Sequence, residues 1–292
     1  MIKSDETLLY NVTDFIFSKG TAADKLRLIS AGYEIPKQNI AQVLKELKTL
    51  LNRDGGLPFD LVKGNPSSVK ITAEVLPLIL KFRKEHSNVV SGMMSFLVDR
   101  QKQDGGFAET LNLDPLIEDK YGMTTGRIWY PVGKSITWLT GKALEALALS
   151  KYDDEERIRR ARDFLLYAQH EDGNWPDFKG QGESDPLGTG NILPALLAAG
   201  VDDSHRVYQD GRAAMLQHLV KSVEHSSTYD MVDLISVGAP KTEKEREVVK
   251  RGLDLIRSTQ LSDGGWAPIG SKKSDAELSS ILAFVYKKCS EY

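Results

Sequence analysis

The chain has 292 residues, of which 41% are apolar and 27% are charged, an ordinary composition for a globular protein. It carries 38 Lys and Arg against 41 Asp and Glu, so its formal net charge is −3. This near balance argues against a nucleic-acid-binding protein, which needs a concentrated basic face. The single cysteine, Cys289, excludes an internal disulfide. Because the N-terminus lacks a signal-peptide pattern and no apolar run reaches about 20 residues, we expect a cytoplasmic protein without a transmembrane segment.

Helical periodicity dominates the chain and predicts an all-α fold. Apolar residues recur three or four positions apart, as in the stripe formed by Ile40, Val43, Leu44 and Leu47. No segment shows the strict alternation of a half-buried strand. In chain order, the predicted helices span residues 5–19, 21–31, 36–51, 67–85, 87–103, 133–150, 153–170, 185–200, 204–222, 227–237, 242–260 and 273–289, which form six hairpins.

A glycine-containing turn repeats between the two helices of four hairpins. The four copies are Asp54-Gly55-Gly56-Leu57, Asp104-Gly105-Gly106-Phe107, Asp172-Gly173-Asn174-Trp175 and Asp263-Gly264-Gly265-Trp266, spaced by 50, 68 and 91 residues. The spacing of 91 predicts a degenerate copy near residues 220–230. The spacing of 68 predicts an insertion after the second turn, at residues 108–132.

The residues around the turn are also repeated. A glutamine stands three residues before the Asp in three copies, as Gln101, Gln169 and Gln260. The helix after the turn carries a Thr-Ala or Thr-Gly pair, followed three residues later by Leu, as at Thr140-Gly141. Since the helices before the turns are amphipathic and those after them mostly apolar, we expect two layers with the apolar helices inside.

This pattern resembles the repeat of prenyltransferases and squalene cyclases, most clearly at Gln260–Trp266 and over Gln169–Leu196. The resemblance extends over about residues 36–289. It implies an (α/α)6 toroid, in which six helical hairpins form two concentric layers of one domain over residues 1–292. An open superhelix is the alternative geometry that the sequence leaves.

The resemblance to protein prenyltransferases implies a catalytic zinc ion held by Asp, Cys and His. In this chain Cys289 lies at the end of the last helix with Lys287 two positions before it, and the five histidines show no metal-ligand spacing. We therefore predict neither a zinc-dependent protein prenyltransferase nor any other metal or cofactor.

The resemblance to class II terpenoid cyclases implies an alkene-protonating carboxyl in an Asp-x-Asp-Asp-Thr motif. The corresponding segment is Asp185–Thr189, in which Leu187 and Gly188 replace the second and third carboxyls. Asp185 is thus the catalytic candidate, as a marginal acid. Class II cyclases usually place the cavity between two toroids, and a homodimer would supply a second one here.

We expect a ligand at the rim where the long loops and the N-termini of the inner helices meet. The substrate-binding candidates are Lys70, Tyr121, Arg127, Trp129, Tyr130, Lys134 and Trp138. Aromatic side chains suit a hydrophobic ligand or a carbocation, although the same residues could instead pack the loop or fill the interior. Two functions stay open: a terpenoid cyclase-like or prenyltransferase-like protein with a central cavity for an isoprenoid or other apolar ligand, and a non-catalytic binding or scaffold toroid.

Overall fold

A computed structural model describes residues 7–122 and 128–292 of the chain. The α-helices in these residues are α1 Val12–Lys19, α2 Ala22–Ala31, α3 Lys37–Leu50, α4 Val69–Ile79, α5 Ser87–Val98, α6 Asp114–Tyr121, α7 Thr137–Leu149, α8 Glu155–Ala168, α9 Pro186–Ala198, α10 Arg206–Glu224, α11 Glu243–Ser258 and α12 Ala276–Cys289. Short 3-10 helices span Phe59–Leu61, Leu80–Phe82, Leu111–Leu113 and Tyr229–Val237. Strands β1 Leu57–Pro58 and β2 Ser67–Ser68 form one antiparallel pair. The prediction of an all-α fold is confirmed.

The structure departs from the predicted helices in several places. The first helix, expected from residue 5, begins at Val12, and the helices expected to reach residues 85 and 103 end at Ile79 and Val98. The helix expected over 227–237 is the 3-10 helix Tyr229–Val237, and helix α6 lies inside the insertion, where no helix was expected. The pair of two-residue strands was also not predicted, because two residues are too few to show a period. The degenerate copy of the turn remains a prediction; in the segment where it was expected, Ser226 after α10 has a φ of 56°.

The chain divides into two compact units. The terminal unit consists of the described part of Met1–Glu46 together with Met215–Tyr292, and the middle unit is Leu47–Ala214. In the middle unit, α7 packs between α4 and α9, while α5 and α8 cover the other side of this layer. In the terminal unit, α12 likewise packs against α2 and the 3-10 helix Tyr229–Val237, and against α1 and α11. Each unit thus has two layers, with the helices that follow the turns side by side in one of them.

Close helix packing in the middle unit explains the glycine of the Thr-Gly pair. A Cβ atom at Gly141 of α7 would lie 2.6 Å from the backbone oxygen of Asn191 in α9. Since real Cβ contacts are longer than that, only glycine allows the two helices to approach so closely.

The repeated Asp organises each turn with a serine that precedes the second helix. In the last copy, Asp263 Oδ1 accepts hydrogen bonds from Gly265 N at 3.0 Å and from Ser274 Oγ at 2.7 Å. The same arrangement joins Asp54 to Gly56 and Ser67, Asp104 to Gly106 and Ser135, and Asp172 to Asn174 and Ser184. These bonds stabilise the turn that starts each second helix.

The repeated Gln joins its own turn to the first helix of the next hairpin. Gln101 Nε2 donates to the carbonyls of Gly105 and Arg157, and Gln169 Nε2 donates to those of Gly173 and Val207. In the last copy, Gln260 Nε2 donates to Gly264 O at 2.9 Å and to Tyr10 O at 3.0 Å, just before α1. Within the terminal unit, the segment leading into α1 therefore occupies the place that the next first helix has in the earlier copies.

Two tryptophans of the turns belong to the packed core. Trp175 and Trp266 are buried, and their indole N–H groups donate to Leu165 O and Ile256 O, both at 2.7 Å. Among the described residues, no helix combines the length and apolar character needed to cross a membrane.

Candidate functional site

Four aromatic side chains of the insertion and of helix α7 form one cluster in the middle unit. Tyr121 meets Trp129 edge to face, with ring centroids 4.8 Å apart, and Trp129 stacks on Tyr130 at 5.4 Å. Trp138, near the start of α7, meets Tyr130 edge to face at 4.9 Å and donates its indole N–H to Trp129 O at 3.1 Å. Tyr130 and Trp138 are only 1% and 5% exposed, whereas Tyr121 and Trp129 are half-buried. A ligand would therefore meet Tyr121 and Trp129 first.

A buried glutamate anchors this cluster to the start of α4. Glu109 is 2% exposed, and its Oε1 accepts hydrogen bonds from Ser68 Oγ and Tyr130 Oη, both at 2.7 Å. Its carboxylate also accepts from the backbone N–H groups of Val69 at 2.7 Å and Lys70 at 3.0 Å. Glu109 thus occupies the anion-binding N-terminus of α4 from within the protein.

The pKa values of Glu109 and Tyr130 are both raised by burial. Burial raises the pKa of Glu109 above its usual range, while the hydrogen bonds from Lys70, Val69, Ser68 and Tyr130 act in the opposite direction. Burial, followed by the nearby Glu109 carboxylate, raises the pKa of Tyr130 well above its usual range. The phenol is consequently held as a donor to Glu109.

Two aspartates lie at the N-terminal ends of α7 and α9. The carbonyl of Asp177 accepts the N–H of Thr137 at 2.8 Å, and Asp185 Oδ1 caps α9 by accepting Leu187 N at 2.9 Å. Asp177 is 6% exposed, and Gln181 Nε2 donates to its Oδ2 at 3.4 Å. Burial, and then repulsion from Asp185, raise the pKa of Asp177 to about 6.

Asp185 and Trp138 of the aromatic cluster flank Gly188. A Cβ atom built on Gly188 would lie 3.7 Å from Asp185 Cβ and 3.9 Å from Trp138 Cβ. Phe178 follows Asp177 in the chain, and the centre of its ring lies 5.2 Å from Lys134 Nζ. We call the aromatic cluster together with Asp177 and Asp185 the candidate site.

The structure describes all but one of the residues that the sequence singled out. Tyr121, Trp129, Tyr130 and Trp138 are in mutual contact. The backbone N–H of Lys70 is joined to them through Glu109, whereas the Lys70 side chain lies against Glu74. Lys134 and Asp185 border the same ends of α7 and α9. Arg127 lies outside the described residues.

Asp185 has a structural counterpart in another repeat. Asp275 caps α12 by accepting Leu278 N at 2.8 Å, as Asp185 caps α9. Helix capping therefore accounts for an Asp at this position without chemistry.

Sequence reasoning gave no role to the buried acids of the site. Glu109 stands in the insertion without a repeat equivalent, and Asp177 stands two residues after Trp175 in the loop that follows the third turn. The signal that could have found Glu109 is its place two residues after Phe107, at the point where the repeat pattern breaks.

Two depressions of about 700 Å³ and 250 Å³ lie elsewhere on the middle unit. The larger is bordered by Tyr152, Arg159 and Gly200, and the smaller by Arg160, Tyr167 and Lys179. Neither contains a residue of the candidate site. Within residues 7–122 and 128–292, no group of three His, Cys, Asp or Glu side chains has an arrangement that could hold a metal ion.

No protein-family model matches the chain, and no curated protein matches it in sequence. Solved structures do resemble it. A protein from Actinoplanes aligns over 93% of this chain and 90% of its own, with a TM-score of 0.63 and 13% identity. The type II terpene cyclase MstE from Scytonema aligns over 92% of this chain and 86% of its own, with a TM-score of 0.64 and 13% identity.

The likeness to these structures establishes the fold. The chain has the all-α, terpenoid cyclase-like fold of MstE, although at low sequence identity. Variants of MstE have been solved with geranylgeranyl dihydroxybenzoate as substrate and with merosterolic acid A as product.

Proposed function

We propose that this protein is a terpenoid cyclase-like enzyme that binds an isoprenoid ligand at the candidate site and uses Asp177 as its acid. The observation that carries the proposal is the position of Asp177: it is buried, its carboxyl lies close enough to Asp185 for the two to repel, and its carbonyl accepts the N–H of Thr137, the residue before Trp138. The likeness of the fold to a cyclase that takes a geranylgeranyl-bearing substrate supports the ligand class.

The pKa of Asp177 limits which atom of the ligand the carboxyl can protonate. At pH 7, a carboxyl with this pKa is about one-tenth protonated, so a usable acid form is present. It is nevertheless a weaker acid than an ordinary aspartic acid, whereas protonation of an alkene needs an unusually strong one. The proposal is therefore transfer of the Asp177 proton to an oxygen atom of the isoprenoid, such as that of an epoxide, which leaves Asp177 as the carboxylate.

Asp185, the catalytic candidate of the sequence, has a supporting role in this proposal. Its carboxylate caps α9 and raises the pKa of Asp177 by repulsion. Asn is also a good helix N-cap residue, so Asp185→Asn removes the charge while α9 keeps its cap.

The test is incubation of the purified protein with geranylgeranyl dihydroxybenzoate and with squalene epoxide. Mass spectrometry follows product formation and calorimetry follows binding. We expect Asp177→Asn to abolish turnover while binding persists, because the amide cannot supply the proton. Glu183→Gln, an exposed charge in the same loop, is the matched control and is expected to leave turnover unchanged.

The pH profile distinguishes the two aspartates. Asp185→Asn is expected to lower the pKa of Asp177 toward its usual range, so that the pH at which activity falls moves to more acidic values. Turnover in Asp177→Asn equal to that of the unsubstituted protein would exclude Asp177 as the acid.

A non-catalytic binding or scaffold protein is the second candidate. It is favoured by the close mutual packing of the aromatic rings, which leaves Tyr130 and Trp138 almost fully buried. Binding of either compound without any product, at every pH tested, would support this candidate over the enzyme.

A further inference from the structure

Helices α4 and α7 carry four charged side chains that the acid chemistry does not use. Lys70 and Glu74 are four residues apart on α4, and Lys142 and Glu145 are three apart on α7, so each pair shares one helix face. All four residues are half-buried. Charges in such a position need compensation, because burial removes much of their hydration.

Three of the four charges compensate one another. Glu74 Oε1 lies 3.0 Å from Lys142 Nζ and 3.4 Å from Lys70 Nζ, so one carboxylate lies between two ammonium groups. Glu145 differs, since its carboxyl makes no hydrogen bond or ion pair within the part of the chain that the structure describes. Burial raises the pKa of Glu145, and the charge of Lys142 opposes that change.

The position of Glu145 relates it to the aromatic cluster. Trp138, Lys142 and Glu145 recur at four-residue and three-residue spacing, and so follow one face of α7. Seven residues of α-helix separate Trp138 from Glu145 by about 10 Å along the helix axis. Trp129 covers Trp138, with ring centroids 6.0 Å apart. An apolar chain that starts at Trp129 and follows this face therefore brings its far end to Glu145.

We propose that Glu145 is a ligand-binding carboxylate that receives a hydrogen-bond donor, an ammonium or hydroxyl group, at the end of an apolar chain. The inference rests on the proposed function and adds to it the polar group of the isoprenoid ligand. A carboxylate accepts hydrogen bonds and cannot donate them, so a donor on the ligand satisfies it whereas a hydrocarbon end leaves it unpaired. Lys142, held by Glu74, does not need the ligand for its own compensation.

The experiment compares three probes with the same carbon chain by calorimetry: geranylamine, geraniol and the hydrocarbon that lacks the polar group. Each is titrated into the unsubstituted protein, into Glu145→Gln and into Glu155→Gln, an exposed glutamate at the start of α8. We expect the amine or the alcohol to bind about tenfold more tightly than the hydrocarbon, the gain typical of a hydrogen bond to a charged group. Because the amide oxygen of Gln still accepts a hydrogen bond but carries no charge, Glu145→Gln is expected to remove most of the preference for the amine, and Glu155→Gln to preserve it.

The outcomes separate the two proposals. Equal binding of all three probes to the unsubstituted protein would overturn the role of Glu145 while leaving an isoprenoid site in place. A preference for the amine that survives undiminished in Glu145→Gln would overturn it as well. If none of the probes and neither compound of the turnover assay binds, the isoprenoid function fails, and the role of Glu145 fails with it. The comparison of the three probes in the unsubstituted protein remains valid even if Glu145→Gln fails to fold.

Discussion

The contact between Gly264 of the last turn and Asn11, just before α1, can be tested by replacing the glycine with alanine. Gly264 has a φ of 91°, and a Cβ atom there would lie 2.4 Å from the backbone oxygen of Asn11. Gly270, in the same loop, has a φ of 77° with nothing within 4 Å of its Cβ position. Gly264→Ala and Gly270→Ala therefore share the conformational penalty and differ in the clash.

The expected magnitudes follow from these two effects. An alanine in the left-handed region costs about 1 kcal/mol, which is the whole expected effect of Gly270→Ala. In Gly264→Ala the backbone at Asn11 must also shift, since it cannot interpenetrate the methyl group, and such overpacking adds about 1–3 kcal/mol. The loss for Gly264→Ala should therefore be about 2–4 kcal/mol.

Urea denaturation followed by far-UV circular dichroism measures both free energies of unfolding. An unchanged slope with a lower midpoint would show that stability changed and the denatured state did not. Hydrogen exchange should also speed up in α1 for Gly264→Ala and not for Gly270→Ala. Losses that agree within about 0.5 kcal/mol, with equal exchange in α1, would refute the close contact at Asn11.

Three further outcomes are expected. Because the pKa of Asp177 is raised, the folded state binds more protons than the unfolded state between about pH 4 and 6, and the free energy of unfolding falls as pH rises through that window. Urea denaturation measured across this range should show the fall, and Asp177→Asn should remove it. Glu109→Ala should lower the free energy of unfolding by about 2–4 kcal/mol because it leaves buried donors unpaired. Tyr130→Phe should lower it by less, and a smaller loss for Glu109→Ala than for Tyr130→Phe would contradict that account. Trp266→Phe should cost about 1–3 kcal/mol by leaving Ile256 O without its indole donor, and a loss below about 0.5 kcal/mol in thermal unfolding would argue against that bond.

Local sequence signals were sufficient for most of the helices and for the four turns that share the repeated Asp. The apolar period places α3, α8 and α11 within a few residues of their observed bounds, because the apolar side chains of each lie on one face that packs against the core. The Asp of each turn was recognised from its spacing, but its serine partner was not. Ser274 stands eleven residues after Asp263, too far for a local pattern to connect them.

The candidate site was predictable in part. Tyr121, Trp129 and Tyr130 stood out because they interrupt the repeat, and loops that do so commonly bind ligands. Glu109 and Asp177 did not stand out, because an acidic residue in a loop is expected to be exposed to solvent unless its neighbours in space are known. Their pKa values are raised by burial, which depends on the residues packed around them.

The sequence by itself therefore determined the all-α fold, the hairpin repeat and the position of the insertion, all of which depend on residues close together in the chain. The tertiary structure alone decided which charges are buried and which are paired. Glu109 meets the start of α4 some forty residues away, and Lys142 meets Glu74 across two helices. Among the residues that the structure describes, Glu145 is left without such a partner. The energy of a charge depends on its solvation and on its neighbours in space, and neither can be read from the order of residues.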